Sequence, residues 1–305
     1  MMATTNPKIK AIQMQLAQWD DQILANDIYQ ALSQQHFVGK LSPQVVSDLC
    51  KNFKLSVNHL ALQLLPIAAC YSVTPVSNFN VGAVAHGISG ALYFGANQEF
   101  CDSSMQQTIH AEQSAISHAW MNNEATITAI TVNYTPCGHC RQFMNELNSA
   151  EQFYIHLPHA QNNRLHQYLP DAFGPKDLDI KTCLFDPHNN KLTIDSFEPL
   201  AQQALLAANR SHAPYSQAYC GVALLLKYDT ILTGRYAENA AFNPSLPALQ
   251  VAIKLVRLSG YHDQDITAAV MVELPTKMQQ RSMAEQLLQA INPKIKFQYF
   301  VAKIN

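Results

Sequence analysis

One stretch of this chain occurs twice, and the repetition restricts the possible folds more than any other feature. Ser72-Val73-Thr74-Pro75-Val76-Ser77 returns as Ser211-His212-Ala213-Pro214-Tyr215-Ser216, and Gly82 falls on Gly221. Asn97-Gln98-Glu99-Phe100 pairs with Asn239-Ala240-Ala241-Phe242. Ala111-Glu112-Gln113-Ser114-Ala115-Ile116 pairs with Ala248-Leu249-Gln250-Val251-Ala252-Ile253. The offsets are 139, 142 and 137 residues, so the copies differ mainly in loop length. Self-similarity of this kind signals one folding unit used twice, and 305 residues are enough for two such units.

The hydrophobic pattern gives the elements. Ile9, Ile12, Leu16, Trp19, Ile23, Leu24, Ile28 and Leu32 recur at helical spacing from residue 3 to about 35. A second helix runs from Ser42 through Cys50, and Asn58 is read as the cap of a third that ends near Tyr71. From Ser72 the pattern changes. Residues 80–85 and 90–95 read as a hairpin, Ala111 to about Met121 as a helix, 126–134 as a strand and 137–147 as a helix. Strands alternating with helices predict an α/β fold, a sheet covered by helices.

The chemistry sits in the first copy. His110-Ala111-Glu112 is followed by Pro136-Cys137-Gly138-His139-Cys140. Structural zinc is closed by four protein ligands, whereas catalytic zinc has three and leaves a place for water. One His, two Cys and a neighbouring Glu therefore read as zinc that activates water, with Glu112 carrying protons. The pattern is the H-x-E…P-C-x-x-C signature of zinc-dependent nucleobase deaminases. His110 and Glu112 stand about 200° apart on an ideal helix, so they converge only if His110 lies at the helix start. Cys137 and Cys140 open the next helix, where unpaired N–H groups stabilise thiolates. His139 points outward in that first turn, and the other histidines are surface or satisfied polar residues. The second copy has lost the chemistry. Pro247 replaces His110 and Leu249 replaces Glu112, while the cysteines fall on Thr276 and Gln279, or on Lys277 and Gln280.

Composition narrows the class. With 20 basic and 22 acidic residues and no basic stripe, the chain lacks what a nucleic-acid polymer requires, so a small uncharged substrate is expected. Seven scattered cysteines argue against a disulfide framework. No apolar run reaches the roughly 18 residues of a membrane span, and no export signal is visible, so the expected location is cytoplasmic with no membrane partner.

The chain resembles the two-domain, dimeric bacterial cytidine deaminases. The stretches NFNVGA, LYFGAN, HAEQSAISHAW, PCGHCRQFMNEL, YLPDAFGPKDL and YAENAAFNP carry the likeness from about residue 70 to about residue 250. Smaller tetrameric relatives have Cys and Arg where this chain has His110 and Gln113. Two thiolates and a neutral imidazole leave no negative charge on the site for an Arg to offset. The resemblance implies a duplicated three-layer α/β/α deaminase-like sandwich. It would divide into a helical segment (1–55), a catalytic domain (56–176), a linker (177–194) and a degenerate second domain (195–305). It implies one Zn²⁺ per subunit on His110, Cys137 and Cys140, and deamination of cytidine and 2′-deoxycytidine in pyrimidine salvage. Glu112 would move protons to N3 and to the departing amine. The Ala111 N–H and Thr135 carbonyl would read the base edge, Asn97 and Glu99 the ribose, and Phe79 would stack on the base. On sequence alone Phe79 is better read as a core aromatic. Phe173, Ala241 and Phe242 would line the pocket of a partner subunit in a homodimer.

Overall fold

The structure, a computed structural model, describes residues 6–305. Residues 3–5 of the first expected helix lie outside that range. What was expected as one helix is two, α1 (Pro7–Leu16) and α2 (Gln22–Gln34). Asp21 divides them, because its carboxylate accepts from the N–H groups of Ile23 and Leu24 and starts a new helix. A short strand β1 (Lys40–Leu41) precedes α3 (Pro43–Asn52) and α4 (Val57–Ala69). The cap of α4 is Ser56, whose hydroxyl takes the His59 N–H at 3.2 Å; Asn58 is already inside the helix.

Next come β2 (Gly82–Gly87), β3 (Leu92–Ala96), α5 (Ala111–Met121), β4 (Ile127–Val132) and α6 (Gly138–Met144). Strands β5 (Tyr154–Leu157) and β6 (Ala160–Arg164) and the single turn α7 (Leu165–Tyr168) complete the first unit. Its sheet has the order β1-β3-β2-β4-β5-β6, antiparallel except for β4 against β5. Side chains alternate across the pleat. Val84, Leu92 and Phe94 face a core built with α1 to α4, whereas Ala83, Ala85 and Tyr93 face one built with α5 and α6. Helices on both faces make the expected three-layer α/β/α sandwich.

The second unit repeats the plan. After β7 (Leu192–Thr193) come α8 (Pro199–Asn209), β8 (Cys220–Leu226), β9 (Ile231–Arg235), α9 (Ala248–Leu258), β10 (Ile266–Glu273), α10 (Arg281–Ile291), β11 (Lys296–Val301) and β12 (Lys303–Ile304). Its sheet, β11-β10-β8-β9, matches β5-β4-β2-β3 strand for strand, including the one parallel pair. One pairing expected from the repeat is corrected by the structure. Glu99 accepts from the N–H groups of Val76 and Ser77 and from the Ser77 hydroxyl, and Glu238 does the same with Tyr215 and Ser216. The counterpart of residues 97–100 is therefore 236–239, and Ala241 and Phe242 belong to the following loop. Matching residue types in that loop misplaced the register by three.

Gly95 and Gly234 show why the repeat keeps glycine where a helix crosses the sheet. A Cβ on Gly95 would stand 2.1 Å from the Ala115 nitrogen and 2.5 Å from the Ala111 oxygen. A Cβ on Gly234 would stand 2.1 Å from the Ala248 oxygen. Those atoms are helix backbone and cannot rotate away. Gly95→Ala is therefore expected to lower unfolding free energy by about 2–3 kcal/mol or more in urea titrations. Gly138→Ala, with nothing within 4 Å of its added carbon, serves as the control and changes it by less than about 0.5 kcal/mol.

The two units share a core through α5 and α9. Lys254 of α9 is buried there and donates to the Ser114 carbonyl at 3.1 Å. Glu146, just past α6, is also buried. It accepts from the Tyr215 hydroxyl at 2.6 Å and the Ala240 N–H at 3.1 Å, and lies 3.0 Å from His212 Nε2. Unpaired, a buried carboxylate would cost several kcal/mol; here the second unit supplies its donors.

Two buried histidines set an acid limit. His86 meets the Thr131 hydroxyl and His118 the Phe94 carbonyl, and burial lowers both pKa values to about 3. The unfolded chain binds these protons near pH 6.5 and the folded chain near 3. Their contribution is thus complete above about pH 6.5 and is lost on acidification toward 3. Each adds up to about 1.4 kcal/mol per pH unit to the loss. Urea midpoints from pH 7 to 4 are expected to fall more shallowly in His118→Gln than in the parent.

Candidate metal centre

His110 is the residue immediately before α5. Its backbone is extended (φ −78°, ψ 156°), so it lies outside the helix that contains Glu112 as second residue. This removes the 200° conflict, because the imidazole leaves the chain before helical geometry begins. Cys137 occupies the same position ahead of α6, and Cys140 is the third residue of that helix. Both helix starts meet at the sheet end where β4 hands over to α6.

His110 Nδ1 lies 3.4 Å from Cys137 Sγ and 3.3 Å from Cys140 Sγ, and the two sulfurs are 3.7 Å apart. A tetrahedral zinc with bonds of about 2.3 Å to sulfur and 2.05 Å to nitrogen would set S···S near about 3.75 Å and S···N near about 3.6 Å. The donor set therefore fits that ion to within a few tenths of an ångström. Among the described residues, no other His, Cys, Asp or Glu joins the three. His139 stacks its ring on His110, centroids 4.9 Å apart, without entering the group. Cys140 is fully buried, whereas Cys137 is exposed. Hydrogen bonds from Cys140 and His110 pull the Cys137 pKa to about 3, while burial pushes Cys140 well above the ordinary thiol range. The side-chain contact with Cys137 raises His110. Glu112 is 5% exposed, and burial raises its carboxyl, which lies against Cys140.

Two side chains hold these donors in place. Gln113 accepts the His110 N–H at 3.3 Å and donates to the Pro244 carbonyl of the second unit at 2.9 Å. Arg141 donates to the carbonyls of Pro136 and Tyr168, both at 2.8 Å, fixing the loop ahead of Cys137. Neither role was read from the sequence. Gln113 spans 131 residues to its partner, and no local pattern encodes such a contact.

The remaining candidates fall into two groups. Ala111 opens α5, so its N–H has no acceptor within the helix. Thr135 is exposed in the loop before Pro136. Phe79 is 49% exposed rather than core, and its ring lies 4.7 Å from that of Tyr134, a residue the motif reading passed over. Asn97 holds this segment, donating to the Phe79 carbonyl at 2.8 Å and accepting the Val81 N–H at 2.9 Å. Glu99 holds residues 76–77 just before it. Phe173, Ala241 and Phe242 form the second group, all exposed and set along α6 beyond the cysteines. Gln142 donates to the Phe173 carbonyl at 2.7 Å and touches Asn239 at 3.5 Å.

A three-layer α/β/α fold with three soft donors and a buried carboxylate at one helix start defines a metal-dependent hydrolytic site. Comparison with known proteins is specific. The family described as "Cytidine and deoxycytidylate deaminase zinc-binding region" matches residues 56–156 and again 165–285. A cytidine deaminase of Pasteurella multocida is 57% identical over 88% of this chain and 92% of its own length. Those of Histophilus somni (55%; 91% and 91%) and Haemophilus influenzae strain Rd (54%; 92% and 96%) are similarly close. A solved cytidine deaminase from Burkholderia pseudomallei is 27% identical with a TM-score of 0.34, covering 38% of this chain and 98% of that one. The chain belongs to the cytidine and deoxycytidylate deaminase family. That family is zinc-binding, and the His/Cys/Cys group is positioned for such an ion. The second match contains none of the donors. There Gln280, and not Thr276 or Lys277 as expected from the repeat, precedes α10 as Cys137 precedes α6, and its side-chain oxygen takes the N–H of Ala248, counterpart of Ala111. No helix among the described residues is long and apolar enough to cross a membrane.

Proposed function

We propose that this chain hydrolyses cytidine and 2′-deoxycytidine to uridine and 2′-deoxyuridine with release of ammonia, as a step of pyrimidine salvage. The observation that carries the reading is the three-donor centre with Glu112 buried beside it. Zinc bound to His110, Cys137 and Cys140 supplies one thing, a water whose pKa is lowered toward neutrality. Glu112 takes one proton from the attacking water and places it on N3 of the base; it then takes the second from the new hydroxyl at C4 and passes it to the amine, which leaves as ammonia while the C4 carbonyl forms. Burial keeps its pKa raised, which suits a group that must accept and return a proton near neutral pH. The free Ala111 N–H and the Thr135 carbonyl orient the base edge. Phe79 offers an exposed face for stacking. Asn97 and Glu99 keep unused hydrogen-bonding capacity for ribose hydroxyls after fastening the segment that carries Phe79.

Residues 56–176 form the catalytic domain and 195–305 the second, joined by 177–194 and preceded by the helical segment 1–55. The working form is a homodimer. Support comes from Phe173 and Phe242, 46% and 51% exposed aromatics on the two segments that meet Gln142 of α6 through the Phe173 carbonyl and Asn239. Exposed aromatics of this kind are suited to closing a partner's pocket. The five cysteines outside the donor set, free thiols all, suit the reducing cytoplasm. The test is an ultraviolet assay of cytidine, 2′-deoxycytidine, cytosine and cytidine monophosphate, with sedimentation of the same sample. Turnover of the two nucleosides by a dimer is expected. Turnover of the free base or the nucleotide alone, or full activity in a monomer, would overturn the corresponding part.

A further inference from the structure

Where the end of α5 meets β9 lies a cavity of about 500 Å³, lined by none of the residues assigned to the metal centre or the nucleoside. Arg235 and Arg210 both line it, with Trp120, Asn123 and His188. Arg235 is 7% exposed, and its guanidinium lies 3.9 Å over the Trp120 ring and donates through Nη2 to the Trp120 carbonyl. Its Nε is buried without an acceptor. Arg210 has one contact, Nη1 to Asn123 Oδ1 at 3.4 Å. Neither arginine pairs with a carboxylate among the described residues.

Two carboxylates also line the cavity, and both are engaged elsewhere. Glu124 accepts from the hydroxyls of Ser89 and Tyr93, and Asp186 from the Cys183 N–H at 2.7 Å and the Asn148 amide at 3.3 Å. Burial, then the neighbouring Arg210, lowers the Arg235 pKa to about 9. His188 is lowered too, chiefly by burial. A guanidinium taken out of water is costly, and here the Trp120 ring and carbonyl offset part of that cost while no carboxylate among the described residues pairs with it.

We propose that this cavity is a phosphate site, taking inorganic phosphate or the phosphate group of a small monoester. Arg235, held by Trp120, and Arg210 at the exposed rim supply two cations for a group that carries close to two negative charges at neutral pH. The guanidinium fork fits phosphate oxygens, and the volume lies within the usual range for small ligands. Trp120 belongs to α5 and Arg235 to β9, so a bound phosphate joins the two units at the end of α5 opposite His110.

The chain has two tryptophans, so Trp19→Phe leaves Trp120 as the reporter. Its fluorescence is titrated with inorganic phosphate and with ribose 5-phosphate, against chloride at equal ionic strength. A saturable change absent with chloride is expected, together with a higher melting temperature. Arg210→Gln, at an exposed position, weakens that binding at least about tenfold while kcat for cytidine stays unchanged. Arg235→Gln abolishes the signal. Ribose 5-phosphate binding tenfold tighter than phosphate identifies an organic ligand, and equal binding identifies free phosphate. A response no different from chloride, or an unchanged affinity in Arg210→Gln, overturns the proposal. Neither result bears on the deaminase reading.

Discussion

Glu112→Gln is expected to lower kcat for cytidine by about 10³-fold or more while zinc stays near one per chain. The amide keeps the shape and hydrogen-bonding reach of the carboxylate but cannot carry a proton between water, N3 and the amine. The metal donors are separate residues, so the ion remains. Stability is expected to hold or rise. The parent buries an ionisable group whose pKa burial raises, and the replacement removes that desolvation cost. The loss on the other side is the favourable interaction of a first-turn carboxylate with the α5 dipole, about 0.3–1 kcal/mol. Because ground-state contacts survive, KM should change far less than kcat. Stopped assays at matched zinc content give the answer; a kcat within tenfold of the parent would remove Glu112 from the proton path.

The second large effect is loss of the ion itself. Cys140→Ala deletes a fully buried donor, and metal analysis after dialysis against a weak chelator is expected to find under about a tenth of an equivalent of zinc. Activity should fall to background with it. Stability should fall as well, since an ion that binds only the folded chain stabilises it by about 4 kcal/mol at a thousandfold excess over its dissociation constant. Two helix starts lose their common anchor when the ion leaves. His139→Ala is the contrast: its ring stacks on His110 without joining the donors, so zinc should remain at parent levels. Full zinc in Cys140→Ala, or zinc loss in His139→Ala, would mean the donor set is misassigned.

The metal donors were legible because each half of the signature is local. A helix that must begin after His110 and another that must begin after Cys137 follow from spacing and capping alone, and α5 runs as expected from Ala111 to Met121. The duplication was legible in outline through Ser72/Ser211 and Gly82/Gly221. Its register failed at 97–100 because Asn and Phe recur by coincidence in the 239–242 loop. The paired hydrogen bonds of Glu99 and Glu238, with the strand pairings Gly82–Ala96 and Gly221–Arg235, fix the true correspondence. The division between α1 and α2 was missed because hydrophobic spacing runs on through it; the capping carboxylate of Asp21 outweighs periodicity there. The Gln113–Pro244 and Glu146–Tyr215 contacts were invisible for a different reason. They arise from packing one unit on the other and leave no trace within either segment.

X-ray absorption at the zinc edge of the freshly purified enzyme reads the ion's donors one by one. Expected are two sulfurs at about 2.3 Å and two lighter donors at about 2.0 Å, of which one is a single imidazole and the other water. A second imidazole, a third sulfur, or a sample without zinc would contradict that donor set.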